Sequence, residues 1–191
     1  MHSPAADPLP WTSEREHLVI RTAQDDPTRF GPLYEHYRDP VYRYLRSRTE
    51  TAEEAEDLLQ QVFLRALDAL PSYYPEKSPF VAWLVGIARN ASIDAHRRRR
   101  PTVAWDFVPE VLRTNGSEVE AEVLRREDRS RLGHLFVALP ADKRELLVLR
   151  FAAGLTVPEM AAVLGKSEAA VKKQLFRTLQ GMKEQYHDNA R

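Results

Sequence analysis

Apolar residues recur at helical spacing along most of this chain. Phe30, Leu33, Tyr34, Tyr37, Val41, Tyr44 and Leu45 fall at i, i+3, i+4 and i+7 intervals, and Ala55, Leu58, Leu59, Val62, Phe63, Ala66, Leu67 and Leu70 do the same with hardly a break. A third stripe follows in Phe80, Trp83, Leu84, Ile87, Ala88 and Ala91, with Trp83 expected in the core. No segment alternates as a strand would, so the pattern predicts an all-α fold. Pro71, Pro75 and Pro79 punctuate a loop, PSYYPEKSP, between the second and third stripes.

After Pro101 the pattern fades. PTVAWDFVPEVLRTNGSEVEAE mixes prolines, an Asn-Gly turn signal and acids, and reads as a linker. A second helical region then runs from about Glu118, with Leu132, Leu135, Phe136, Leu139, Leu146, Leu147, Leu149 and Phe151 as core candidates. The expected organisation is two small helical domains joined by a flexible linker: an N-terminal arm over 1–25, a first domain over 26–100, the linker over 101–122 and a second domain over 123–187. An extended linker of about twenty residues reaches roughly 70 Å, comparable to about twenty base pairs of duplex.

Composition narrows the classes of function. The 191 residues are 43% hydrophobic, enough for real cores, and include no cysteine. A disulfide framework, a thiolate metal site and a cysteine nucleophile are therefore excluded, and a reducing cytoplasm fits. The N-terminus lacks the basic and apolar regions of a secretory signal, and no run is long and uncharged enough to cross a bilayer. Formal net charge is zero, yet the charges are segregated. Glu50, Glu53, Glu54, Glu56 and Asp57 make one acidic block, and Asp106, Glu110, Glu118, Glu120 and Glu122 make another. Arg89 with Arg97, Arg98, Arg99 and Arg100 form a basic block, and Lys166, Lys172, Lys173, Arg177 and Lys183 a second. Partners respond to local fields screened within about 8 Å, so the patches matter more than their sum.

GLTVPEMAAVLGKSEAAVKKQLFRTLQ, from Gly154, is the most informative stretch. Thr156 followed by Glu159 makes a capping box, with Pro158 tolerated in the first turn; Gly165 ends that helix, and Ser167 caps the next. Two helices around a short glycine-bearing turn make a helix-turn-helix. In its second helix Val171, Leu175, Leu179 and Met182 are the expected buried stripe, leaving Ala169, Lys172, Lys173, Phe176, Arg177 and Gln180 facing outward. Cations for phosphates and guanine edges, with one ring for thymine methyls, suit a recognition helix in the major groove. The alternative is a solvated basic face with Phe176 packed on its own domain. The arginine run in IDAHRRRRP likewise has two readings, a charged helix end before a proline and a nucleic-acid footprint.

These stretches together resemble a bacterial sigma factor of the extracytoplasmic-function (ECF) group of the sigma-70 family. The resemblance rests on FGPLYEHYRDPVYRYLRSR, TAEEAEDLLQQVFLRALDAL, SPFVAWLVGIARNASIDAHRRRR and LPADKRELLVLRFAAGLTVPEMAAVLGKSEAAVKKQLFRTL, in that order over residues 26 to 183. It implies sigma regions 2 and 4, binding to core RNA polymerase, and recognition of promoter DNA at the −10 and −35 elements with opening of the former. By position, Asp57, Gln60, Gln61 and Phe63 are implied to dock on polymerase, where an acidic, amide-bearing face can pair with basic groups. Arg89, Asn90, Asp94 and Arg97 are implied to face the −10 DNA, with Arg98, Arg99 and Arg100 on phosphates. Tyr73 and Tyr74 either cradle an extruded base or pack as ordinary loop residues. Ser167, Ala169, Lys172, Lys173, Phe176 and Arg177 are implied at the −35 element.

Departures from the family pattern are Gln61, often acidic in relatives, Gln174, often arginine, and Phe176, often smaller or histidine. Core docking survives the first, while Gln174 and Phe176 put the −35 sequence preference in question. The resemblance further implies a monomer when free and an anti-sigma factor as partner. No metal-ligand spacing, glycine-rich phosphate loop or nucleophile motif is present, so neither a cofactor nor catalysis is expected. The remaining rival is an autonomous helix-turn-helix regulator, which would bind a duplex operator alone and usually as a dimer.

Overall fold

Threonines set the starts of two helices in the first half. Thr12 accepts from the Arg15 amide and opens α1 (Ser13–Asp25), and Thr51 accepts from the Glu54 amide and opens α3 (Ala52–Ala69), each satisfying an N–H that the helix leaves without an internal partner. Between them lies α2 (Gly31–Arg46), and after a short 3-10 turn at Leu70–Ser72 comes α4 (Phe80–Arg98). The structure, a computed structural model, describes residues 11–98 and 131–188. Every regular element among these residues is helical, as the spacing predicts.

The three apolar stripes meet in one core. Leu33, Val41, Tyr44 and Leu45 of α2, Ala55, Val62 and Ala66 of α3, and Phe80, Leu84, Val85 and Ala88 of α4 are all sealed from solvent. Ile20 and Ala23 of α1 join them, so the arm expected over 1–25 is a packed helix from Ser13 onward. Two apolar residues at i and i+3 give even this short amphipathic segment a face to bury.

The second half consists of a helical segment over 131–138, here α5, then α6 (Ala141–Leu147), which runs on into a π-helical turn at Val148–Ala152, and the pair α7 (Val157–Leu164) and α8 (Glu168–Asp188). Leu146, Leu147, Leu149, Leu155, Met160 and Val171 form its core. The π-helical turn shifts the face that follows it: Val148 and Leu149 are buried, whereas Phe151, expected inside, is exposed. Leu132 is also partly exposed, and in α8 Thr178 takes the buried place expected for Leu179. Thr178 tolerates burial because its hydroxyl donates to the Gln174 carbonyl at 2.8 Å.

The two halves share an interface. α4 packs on α7, and α2 on the π-helical turn, so that buried residues of both halves form one continuous cluster. The linker expected over 101–122 lies outside the described residues.

Candidate functional site

Three outward faces and one inter-half cluster carry the polar chemistry. On α3, Asp57, Gln60, Gln61 and Leu64 occupy i, i+3, i+4 and i+7 positions and are all exposed, giving a stripe of one acid, two amides and one large apolar side chain. Phe63 does not belong to it. Its ring is 5% exposed and packs edge-on against Phe30 and Tyr34, so the polymerase-docking role implied by position is corrected to a core role. Helical geometry is the reason: Phe63 stands one residue off the exposed row and on the same side as Leu59 and Val62.

The loop after α3 divides its two tyrosines. Tyr73 is 4% exposed, its ring lies against Phe80 and Trp83, and its hydroxyl donates to the Ser78 carbonyl at 2.7 Å. Burial pushes its pKa well above the ordinary phenol value. Of the two loop readings, Tyr73 therefore takes the packing one. Tyr74 is 54% exposed, and the Lys77 ammonium sits 4.7 Å above its ring.

Along α4, Asn90, Asp94 and Arg97 fall at i, i+4 and i+7 on a solvent-accessible row. Asp94 lies 4.0 Å from the Arg65 guanidinium of α3. Arg89, placed by the sequence reading on the same surface, instead points its Nε to within 3.5 Å of Glu145 on α6. The side chain of Arg98 and residues Arg99 and Arg100 lie outside the described residues.

Glu145 is the centre of a cluster that no sequence motif announces. It accepts from the Tyr44 hydroxyl at 3.1 Å, pairs with Arg48 through its other oxygen and faces Arg89, while Arg43 of α2 donates to the Ala152 carbonyl at 2.9 Å. The Arg48 guanidinium also lies 4.7 Å over the Tyr44 ring. Burial pushes the Tyr44 phenol up and the Arg48 guanidinium down from their ordinary pKa values. A carboxylate that meets two arginines and a tyrosine at once, with Arg48 and Tyr44 buried and Arg89 partly in water, is held where the halves meet.

The helix-turn-helix is built as its sequence predicts. Thr156 and Glu159 close the capping box at the start of α7, with the Glu159 carboxylate accepting from the Thr156 amide at 2.7 Å. Gly165 ends α7 at φ 62, a left-handed conformation that costs glycine nothing, and Ser167 accepts from the Ala170 amide to start α8. Ala169, Lys172, Lys173, Phe176, Arg177 and Gln180 are all exposed on one side of α8, with Phe176 at 69%. Phe176 is thus not packed on its own domain. Gln174 looks the other way: its amide donates to Asp142 at 2.8 Å and its carbonyl accepts from Lys166 at 3.0 Å, tying α8 to α6 and to the turn.

A helix-turn-helix whose second helix carries exposed cations on its outer side has the architecture of a DNA-binding module. The Sigma-70 region 2 model matches residues 33–102, and the Sigma-70 region 4 model matches residues 129–182. The ECF RNA polymerase sigma factor BldN of Streptomyces coelicolor is 36% identical over 197 residues, covering 98% of this chain and 71% of the relative. SigD of Mycobacterium tuberculosis, also named an ECF RNA polymerase sigma factor, is 33% identical over 174 residues, covering 88% of this chain and 82% of the relative. The chain belongs to the sigma-70 family, within its ECF group.

Solved structures agree on the fold. CnrH, in complex with the cytosolic domain of CnrY, superposes with a TM-score of 0.63 at 26% identity, covering 90% of this chain and 96% of that one. The sigma factor RpoE of Bartonella quintana, in complex with the anti-sigma factor NepR, has a TM-score of 0.58 at 22% identity, covering 81% and 94%. Among the described residues, no helix is long and apolar enough to cross a membrane.

Proposed function

We propose that this sigma factor directs core RNA polymerase to promoters through three surfaces: the α3 row Asp57, Gln60 and Gln61 for docking on polymerase, the α4 and Tyr74 side for the −10 element, and the outward face of α8 for the −35 element. The observation that carries the reading is α8 itself. Lys172, Lys173, Phe176 and Arg177 stand exposed together on the second helix of a helix-turn-helix whose turn, caps and packing are complete.

Leu64 extends the docking row with an apolar contact of the kind that fills the centre of an interface, while the acids around it favour a basic partner surface. At the −10 side, Arg97 to Arg100 supply phosphate contacts, and Tyr74 offers a ring to an unstacked base. Use of Arg89 on DNA requires it to exchange Glu145 for phosphate, which its partly exposed side chain can reach by turning outward. The protein works as a non-catalytic, cytoplasmic factor, monomeric when free. An anti-sigma factor that covers the same faces completes the partner set.

Run-off transcription with purified core polymerase tests the reading. On a library of promoter-sized fragments, discrete start sites that depend on the added chain are expected, and their upstream sequences define both elements. Absence of initiation with core from the same source, together with tight binding to duplex DNA alone, would replace it with an autonomous regulator.

A further inference from the structure

We infer that Gln24 of α1 is a positioning residue for a base-receiving platform made of Tyr74 and Lys77. This deepens the −10 role proposed above and rests on it. Gln24 precedes residue 33, where the match to sigma region 2 begins, and it falls in the segment expected from sequence to be an arm.

Its amide nitrogen donates to the Leu70 carbonyl at 3.0 Å and to the Tyr73 carbonyl at 2.8 Å, 46 and 49 residues away in sequence. A primary amide has two N–H groups on one nitrogen, and both are engaged here. They grip the two ends of the 3-10 turn that leaves α3. On the inner side of the same residue, the Tyr73 ring is wedged against Phe80 and Trp83 and its hydroxyl reaches the Ser78 carbonyl. Tyr73 is thereby held from outside by its backbone and from inside by its side chain.

Its backbone is extended, with φ −82 and ψ 135, so consecutive side chains point to opposite sides. With Tyr73 fixed inward, Tyr74 is driven outward. The Lys77 amide donates to the Tyr74 carbonyl at 3.1 Å and closes the next turn, which brings the ammonium over one face of the Tyr74 ring. The arrangement leaves a ring for stacking and a cation beside it for the adjoining phosphate. A loop already ordered in this way loses less entropy when a base arrives than a free loop would.

The test uses the full chain bound to core polymerase, with a fluorescent adenine analogue in the non-template strand of a pre-opened −10 bubble. Gln24→Met removes both donors while keeping length, and Gln24→Glu keeps shape but turns an acceptor toward two carbonyls. Each is expected to bind the bubble about tenfold more weakly, the loss of roughly two hydrogen bonds' net worth in loop order. Core affinity is expected to stay at the wild-type value. Tyr74→Ala should add little in the Gln24→Met background, because a misplaced ring has little left to lose. The inference is overturned by unchanged bubble binding, by equal loss of core and bubble affinity, or by full additivity with Tyr74→Ala. Failure of the wild-type complex to bind the bubble at all would instead remove the −10 reading beneath it, a separate and recognisable result.

Discussion

The outward face of α4 and the outward face of α8 are both basic, yet only one is open. On α8, Lys172, Lys173, Phe176 and Arg177 are exposed side by side. On α4, Arg89 is held by Glu145 and Asp94 stands beside Arg65, so part of the charge is already answered within the molecule. The difference follows from packing. α8 buries Val171 and Thr178 and turns its other side to solvent, whereas α4 is sandwiched between α3 and α7 and keeps only a narrow row free. A basic helix is therefore available for DNA to the degree that its own fold leaves it unpaired, and net charge per helix does not measure that.

Removing the arginine run tests the α4 side most severely. Replacement of Arg97, Arg98, Arg99 and Arg100 by alanine is expected to weaken holoenzyme binding to promoter DNA on the order of a hundredfold, and to flatten the log–log salt dependence by about 3 to 4. Filter binding across a salt series reads both quantities. An unchanged slope would return the run to the role of a helix-end charge cluster, and the two helices would then differ in kind as well as in openness.

The open side should respond more selectively. Lys173→Ala combined with Arg177→Ala is expected to lower initiation about thirtyfold at promoters carrying the upstream element. Templates lacking that element, with the −10 region strengthened to keep them active, should lose almost nothing. Equal losses on both kinds of template would show that α8 supplies general attraction, as the arginine run does, and the comparison between the faces would collapse to one of position alone.

Glu145 is the residue that makes the faces unequal, and Glu145→Gln sharpens the point. A neutral amide keeps a hydrogen bond to Tyr44 but takes the Glu145 charge away from the buried Arg48 and the partly exposed Arg89. A loss of about 1–2 kcal/mol in urea unfolding is expected, well short of the full cost of breaking a buried pair because Arg89 remains partly in water. In the Arg89→Ala background the same substitution should cost less. If Glu145→Gln leaves stability unchanged in both backgrounds, the halves are held by their apolar contact alone.

What was legible in the sequence divides along the same line. The helix-turn-helix could be read almost residue by residue, since a capping box, a left-handed glycine and a serine cap are local rules satisfied within a few positions. Phe63 shows a conflict between two kinds of reading. Spacing places it in the apolar stripe with Leu59 and Val62, position within the family places it on the docking row, and the core contact with Phe30 and Tyr34 decides for spacing. Gln24 and Glu145 were not legible, because each acts through partners 46 to 101 residues distant in sequence. An isolated glutamine or glutamate carries no mark of what it will meet when helices pack. The misplacement of Phe151 and Leu179 has a nearer cause: the π-helical turn and the buried Thr178 each shift a stripe that ideal 3.6-residue periodicity would have continued.

The smallest expected effect concerns α1, which packs on α2 and, through Gln24, on the turn that leaves α3. Trp11 stacks on His36 with ring centres 4.0 Å apart and donates to Glu16, whose carboxylate also accepts from the Tyr37 hydroxyl. Partial burial lowers the His36 pKa from its ordinary value of 6.5; Arg15 lowers it further and Glu16 opposes the change. The folded chain therefore binds this proton less readily than the unfolded chain. Its contribution to stability is complete above the ordinary imidazole value and is lost as pH falls through the lowered one. Between pH 8 and pH 5 the docking of α1, followed by Trp11 fluorescence in a variant whose other two tryptophans are phenylalanine, should weaken in the wild-type background and stay level in His36→Phe. Amide exchange along α8 should not follow the same titration. A parallel change at both ends would mean that the transition is global, and that α1 does not respond separately from the helix-turn-helix.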